Sequence, residues 1–214
     1  MTLAAEVRTA VASSRRVSGT VLLFPLFFVS GFAAILYQVV WQRTLFAVVG
    51  INVEAVTLIV TTFIFGLGLG SLAGGRLSRA EPGRLVRRFA AIELGIGAFG
   101  LISLPLMRAV GAWATALPPL GTGIVTFGVL LVPTLGMGAT LPILVAHHVR
   151  RSANVGMAVG GLYFVNTLGS ATAALAASYV LMRALGQTHV IWLAAACNAA
   201  VATAAWASLR DEGA

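Results

Sequence analysis

Glu93 is the acidic residue that falls inside a long apolar stretch of this sequence, five residues after Arg88. A carboxylate in such surroundings is costly and usually faces a cavity or a partner, so Glu93 could hold a cation or a proton. At a helical rise of ~1.5 Å per residue, it would lie only ~7.5 Å deeper than Arg88. The sequence therefore favours the alternative, an interfacial Glu93 paired with Arg88, Arg76 or a neighbouring helix end.

Uncharged polar side chains occur in other apolar stretches. Asn166 and Thr167 fall near the middle of one stretch, Thr61 near the middle of another, and Gln38 toward the end of a third. Amides and hydroxyls in lipid form hydrogen bonds between helices or line the path of a solute. Together with Glu93 they form the candidate substrate path, although a structural role is the commoner one for such residues.

Patterns typical of enzyme chemistry are absent from the sequence. It contains no nucleophile beside a base, no zinc-ligand spacing, no dinucleotide fingerprint and no Walker loop. His147 and His148 are adjacent, so on a helix they would diverge by ~100° and could not easily share a metal. We expect no catalytic, metal-binding or cofactor-binding residues and no cofactor.

Composition decides which elements must position these side chains. With 59% hydrophobic and 9% charged residues in 214, the chain lies outside the range of soluble domains. A helix needs ~20 apolar residues to cross a bilayer, and six stretches are long enough. They cover residues 21–42, 56–75, 89–107, 123–145, 159–181 and 190–209. We expect an all-α polytopic protein with six transmembrane helices and the lipid bilayer as its first partner.

Orientation follows from the arginines. Of the 14 basic residues, only Arg43, Arg108 and Arg183 fall on the side opposite the termini. Because cytoplasmic loops carry the excess of positive charge, both termini should be cytoplasmic. Residues 1–18 would then be a cytoplasmic segment, 19–209 the membrane domain and 210–214 a cytoplasmic tail. Five aromatic residues fall near the predicted outer face, as an interfacial belt would require: Tyr37, Trp41, Trp113, Tyr179 and Trp192.

The net charge of +8 is explained by this topology. Clustered basic residues can bind nucleic acid, but arginines beside membrane helices set orientation and meet anionic headgroups. We therefore expect no nucleic-acid partner. The densest group forms a cytoplasmic basic loop after the second stretch: Arg76, Arg79, Arg84, Arg87 and Arg88.

Small residues predict where helices pack closely. Gly66, Gly70 and Gly74 recur every four residues and so share one helix face, and Gly169 and Ala173 have the same spacing. Helices in lipid associate through such small residues because their backbones can approach. We expect these five positions to be helix contacts.

The same segments suggest an internal repeat. At an offset of 99 positions, the four residues Phe65, Leu69, Gly70 and Ser71 match Phe164, Leu168, Gly169 and Ser170. A repeat of three helices would give two halves of inverted topology, as in many transporters. The alternative is chance, because Gly, Leu and Ser are common in this chain.

Five strings carry a family resemblance: 37–43 (YQVVWQR), 70–77 (GSLAGGRL), 93–97 (ELGIG), 138–142 (GATLP) and 162–169 (LYFVNTLG). Together they resemble the transmembrane region of bacterial membrane-bound spermidine synthase-like proteins, a major facilitator-like module fused to an aminopropyltransferase domain. The resemblance implies a transporter-like six-helix half in the bacterial cytoplasmic membrane, with polyamines as a candidate solute.

Two departures from the family limit what the resemblance carries over. Residues 75–79 approximate the cytoplasmic loop signature of major facilitators, but its acidic position is Ser78 or Arg79 here, with Glu81 as the nearest substitute. The chain also stops at Ala214, without the glycine loop and acidic residues of the synthase domain. We therefore expect that this chain, standing alone, is not an enzyme.

Two functions remain open at this stage. The first is a transport-like module that binds or moves a small solute as a homo-oligomer or with another membrane subunit. The second is a non-catalytic anchor or accessory subunit for a larger membrane complex or a soluble enzyme, such as an aminopropyltransferase-like partner. A polar cavity reached by Glu93 would favour the first function, and a solidly packed bundle the second.

Overall fold

The computed structural model describes residues 3–49, 53–114, 116–152 and 154–213. Within these ranges the elements are all helical and no strand occurs. In chain order they are α1 (Leu3–Val49), α2 (Val53–Leu77), α3 (Pro82–Ala114), α4 (Pro119–Ser152), α5 (Val155–Ala176), a π-helical segment (Ala177–Leu181), α6 (Met182–Ala184) and α7 (Gly186–Gly213).

Six of these helical segments are long and apolar enough to cross a bilayer, which confirms the predicted fold class. They are Leu22–Ala47, Val53–Leu77, Gly83–Trp113, Leu120–Arg150, Val155–Ala184 and Gly186–Ser208. All six are longer than the predicted stretches, because the helices continue beyond the apolar residues of each stretch. The prolines at positions 25, 105, 133 and 142 all lie within continuous helices.

Local sequence explains the borders of the last two spans. The Asn154 side chain caps α5 by accepting a hydrogen bond from the Met157 backbone N–H at 3.0 Å. Gly186 has a φ of 71°, a left-handed conformation that glycine adopts without strain, and it separates α6 from α7.

Three helix pairs make up the bundle: α2 packs along α4, α1 along α5, and α3 along α7. Contacts of α3 with α4 and of α1 with α7 join the pairs. These five contacts are symmetric if α1 is equivalent to α4, α2 to α5 and α3 to α7. For example, the contact of α2 with α4 then corresponds to that of α5 with α1. These five strongest contacts therefore have the pairing that an inverted repeat of three helices would produce.

Glycine contacts show the same symmetry at the level of single residues. A Cβ on Gly70 would overlap the carbonyl oxygen of Leu135, and one on Gly169 would overlap that of Phe28. Gly169 lies 99 positions after Gly70, and Leu135 lies 107 positions after Phe28.

A second pair of contacts repeats these offsets. A Cβ on Gly138 would overlap the carbonyl oxygen of Leu67, and one on Gly31 would overlap that of Asn166. Asn166 follows Leu67 by 99 positions, and Gly138 follows Gly31 by 107. Equivalent close approaches therefore join α2 to α4 and α5 to α1.

The predicted packing residues all lie at contacts within the chain. Gly66 and Gly74 approach Thr134 and Ala139 of α4, on the same face as Gly70. Ala173 is fully buried in the core. The glycine face of α2 is thus occupied by α4.

Candidate functional site

Glu93 lies on α3 with no solvent-exposed surface, about 15 Å along the helix from Gly83. Its Oε1 accepts a hydrogen bond from the Ser30 hydroxyl at 2.6 Å, and its Oε2 accepts one from the Asn198 amide at 2.6 Å. The carboxylate therefore joins α1, α3 and α7. The interpretation as an interfacial residue is wrong, because Glu93 is fully buried and its two oxygens bond to Ser30 and Asn198.

Tyr37 extends this network by one hydrogen bond. Its hydroxyl donates to Asn198 Oδ1 at 2.9 Å, which turns the amide nitrogen of Asn198 toward Glu93. Gly100 makes room for the tyrosine, since a Cβ there would overlap its ring. Gly97, one turn after Glu93, likewise lets α3 approach Asn198 closely. A Cβ placed on Gly97 would lie only 3.3 Å from the Cβ of Asn198. Glycines thus bring the polar groups within hydrogen-bonding distance.

The Asn198 amide nitrogen can only donate to the Glu93 carboxylate, whereas the Ser30 hydroxyl can donate to it or accept from it. No arginine or histidine forms an ion pair with Glu93 among the side chains that the structure describes. A buried charge ordinarily has a compensating partner. Glu93 is therefore the centre of an electrostatic site whose counter-charge does not come from the described part of the chain.

A cavity of about 240 Å³ lies beside this network. It is partly open and is lined mainly by α1, α2, α4 and α5, and eight polar residues contribute to its wall: Ser30, Gln38, Ser71, Thr140, Tyr163, Asn166, Ser170 and Asn198. Ser30 and Asn198 line the cavity and also bind Glu93. These two side chains therefore lie between the Glu93 carboxylate and the cavity and connect them.

Hydrogen bonds orient the polar wall on the α5 side. The Asn166 amide donates to the Phe27 carbonyl at 3.1 Å, and the Ser170 hydroxyl donates to the Gly31 carbonyl at 3.2 Å. Both bonds cross from α5 to α1, where the small Gly31 permits the approach. The Asn166 side-chain oxygen remains an acceptor that can serve the cavity.

The five residues of the predicted substrate path divide into three groups. Gln38 and Asn166 line the cavity, and Glu93 lies behind Ser30 and Asn198. Thr61 and Thr167 are exposed on the outer faces of α2 and α5 and do not line it. Helical phase explains the difference, because neighbours in sequence differ by ~100° around the axis.

Sequence reasoning missed three members of the site: Ser30, Asn198 and Tyr37. Asn198 gave the same signal as Asn166, an amide within an apolar stretch, and could have been found by it. Tyr37 and Trp41 were expected in an interfacial belt, but both are fully buried, with rings stacked 5.2 Å apart. Trp113, Tyr179 and Trp192 are exposed, as a belt requires.

The predicted basic loop forms one end of the bundle, here called the basic end. Arg150 of α4 donates to the carbonyls of Ala80 and Ser78, and Arg88 donates to that of Leu77. These arginines hold the turn between α2 and α3 through its backbone. The remaining four arginines of the loop are exposed: Arg76, Arg79, Arg84 and Arg87.

One curated relative is similar to this chain. It is the polyamine aminopropyltransferase 2 of Streptomyces coelicolor, with 29% identity over 191 residues, which cover 87% of this chain and 34% of that protein. The chain thus spans about a third of the length of that relative. Neither a family model nor a solved structure matches the chain.

Proposed function

We propose that this chain is a membrane-embedded module that binds a small organic cation in the cavity beside Glu93. The observation that carries the proposal is the buried carboxylate, which lacks an ion-pair partner among the described side chains and meets the cavity through Ser30 and Asn198. A positively charged solute would supply the missing counter-charge. Its ammonium group would donate hydrogen bonds to the hydroxyl and amide oxygens of the wall.

The rest of the wall suits an alkyl chain. Five large apolar side chains also line the cavity: Phe27, Phe63, Ile96, Met137 and Leu141. The volume of about 240 Å³ is below the roughly 300–1,000 Å³ of pockets for drug-sized ligands, so the solute is small. An aliphatic amine combines the required charge, size and apolar body.

Polyamines are the first candidates within this class. The relative is named a polyamine aminopropyltransferase, and the aligned part is this helical region. We assign aminopropyl transfer to none of the residues of this chain, because the cavity offers a counter-charge and hydrogen-bond acceptors without a nucleophile beside a base. Binding of the amine, rather than its chemical conversion, is the role proposed here.

Translocation is the proposed consequence of binding. Inverted repeats allow one half of a transporter to rock against the other around a site between them. Here α1–α3 and α4–α7 are interlocked, since α2 packs along α4 and α1 along α5, so the six-helix bundle would move as one body against a second copy or another membrane subunit. We place the module in a bacterial cytoplasmic membrane with the basic end and both termini in the cytoplasm.

A second candidate function is anchoring, and the basic end favours it. Four exposed arginines there form a cationic surface that could dock an acidic soluble enzyme, such as an aminopropyltransferase-like partner, or anionic lipid. The two functions are compatible, since an anchored enzyme could receive the amine that the cavity binds.

Direct binding tests the first function. The protein in lipid nanodiscs is titrated with radiolabelled putrescine and spermidine, and 1,4-butanediol serves as an uncharged competitor of similar length. We expect saturable binding that butanediol does not displace. Binding should weaken at least ~10-fold in Glu93→Gln and in Asn166→Ala, a loss of ~1.4 kcal/mol or more.

Thr167→Ala is the matched control, because Thr167 is the next residue on α5 and faces away from the cavity. Absence of saturable binding, or equal binding by wild type and Glu93→Gln, would refute the proposal. Co-purification of an enzyme that is lost when Arg76, Arg79, Arg84 and Arg87 are replaced by alanine would support anchoring.

A further inference from the structure

The two oxygens of the Glu93 carboxylate differ in what they can accept. Oε2 faces the amide nitrogen of Asn198, and the Tyr37 hydroxyl holds that amide in its orientation. An amide nitrogen only donates, so a proton on Oε2 would face another donor. Protonation at Oε2 would require the Asn198 amide to turn over and Tyr37 to lose its acceptor.

Oε1 has no such restriction. It faces the Ser30 hydroxyl, which can either donate or accept because its hydrogen rotates about the C–O bond. If Oε1 carries a proton, the acid O–H can donate to Ser30 Oγ while the serine hydrogen turns elsewhere. The bonds of Asn198 and Tyr37 then stay unchanged. Ser30 also lines the cavity, so it connects Oε1 to the space where a solute binds.

Charge balance links this oxygen to the cavity. Among the described residues, the titratable groups next to the network or in the cavity wall are Tyr37 of α1, Cys197 next to Asn198 on α7, and Tyr163 of α5. The wall residues from α2 and α4 include no titratable side chain, and no described wall residue carries a positive charge. Neutralising Glu93 therefore falls to a proton on Oε1 or to a cation in the cavity.

We infer that Glu93 is a proton-exchange site: Oε1 holds a proton, bonded to Ser30, while the cavity lacks a cation, and a bound organic cation displaces it. This inference rests on the proposed function. In the exchange, the O–H bond of the carboxylic acid breaks and its proton leaves to water. The carboxylate that remains is neutralised by the ammonium of the solute, and no electrons are transferred.

At Glu93 the exchange replaces one proton by one ammonium group, so this carboxylate is neutralised in both states. Binding of the solute and binding of the proton become mutually exclusive, so each weakens the affinity for the other by the same factor. In a module that moves the solute across the bilayer, this would couple one amine to one proton moving in the opposite direction. Ser30 is the residue through which the two ligands compete.

Two measurements test the inference separately from the proposed function. The first is infrared spectroscopy of solute-free nanodiscs, which detects the C=O stretch of a protonated carboxyl group. We expect a band that disappears as the pH is raised and is missing in Glu93→Gln. Ser30→Ala should shift the band, and Ser170→Ala should leave it in place, since Ser170 lines the same cavity but bonds to the Gly31 carbonyl instead.

The second measurement is proton release on titration with putrescine in weakly buffered solution containing a pH indicator. We expect release of about one proton per solute bound in the wild type and none in Glu93→Gln, as linkage requires. Binding without proton release would overturn the inference and leave the proposed function standing. An acid band on Glu93 without any amine binding would refute the proposed function, and absence of the band would refute proton storage at this site.

Discussion

Asn198 of α7 donates its amide N–H to Glu93 Oε2 of α3 at 2.6 Å, across the contact between the two three-helix halves. The same side chain accepts the Tyr37 hydroxyl at 2.9 Å, so one amide satisfies two buried polar groups from two other helices. Asn198 is 1% exposed, and water cannot replace its bonds without entering the bundle. The amide therefore contributes both to helix association and to the orientation of the carboxylate.

Removing this amide should destabilise the bundle. Asn198→Leu keeps a similar volume but leaves Glu93 Oε2 and the Tyr37 hydroxyl each without a partner, and an unsatisfied buried group costs about 1–3 kcal/mol. We expect a lower free energy of unfolding in detergent titrations monitored by circular dichroism. Thr203→Val on the same helix is the control, because Thr203 is exposed and bonds only to the Ala199 carbonyl. Equal stability of the two variants would contradict the prediction.

Gly70 should not tolerate a methyl group. In Gly70→Ala the Cβ would overlap the Leu135 carbonyl oxygen, so α2 and α4 would have to separate. Overpacking of this kind costs about 1–3 kcal/mol. Gly68→Ala, two residues earlier, meets open space and should be neutral or slightly stabilising. Thermal unfolding in nanodiscs distinguishes them, and a Gly68→Ala variant as unstable as Gly70→Ala would argue against the packing.

The repeat predicts an equal effect at the symmetry-related position. Gly169→Ala would drive a Cβ into the Phe28 carbonyl oxygen of α1, just as Gly70→Ala does at Leu135 of α4. We expect destabilisation of similar size, again about 1–3 kcal/mol. Gly160→Ala on the same helix is open and serves as the control. A neutral Gly169→Ala variant would show that α1 and α5 do not approach as α2 and α4 do.

Arg150 should protect the turn at the basic end from proteolysis. Arg150→Ala removes the guanidinium that donates to the carbonyls of Ser78 and Ala80, so this segment should open more often. Trypsin would then cleave after Arg79 several-fold faster, as followed by mass spectrometry of the fragments. Arg87→Ala also removes one exposed charge nearby and should leave the rate unchanged. The prediction fails if both variants are cleaved at the same rate.

The same cleavage reports the proposed topology. Trypsin should reach Arg79 in inverted membrane vesicles, where the cytoplasmic face is outside, and not in sealed spheroplasts. A short epitope tag appended after Ala214 should be accessible in the same preparation. Cleavage in spheroplasts, or a tag on the face opposite Arg79, would contradict the orientation inferred from the arginines.

The sequence alone determined the fold class and the number of helices that are long and apolar enough to span a bilayer. Six apolar stretches have the length needed to cross a bilayer, and this length can be read from consecutive residues of each stretch without knowing its neighbours in the fold. The sequence also located the packing face of α2, because glycines four residues apart lie on one side of a helix. Even the repeat was visible, although composition left chance as an alternative that the matched contacts of Gly70 and Gly169 argue against.

Only the tertiary structure decided which polar groups act together. Ser30 and Asn198 are separated from Glu93 by 63 and 105 positions, and nothing in their local sequence indicates that they share its carboxylate. Helical rotation likewise placed Asn166 in the cavity wall and its neighbour Thr167 outside it. The physical reason is that span length depends on residues close in the chain, whereas a site depends on how whole helices are rotated and brought into contact.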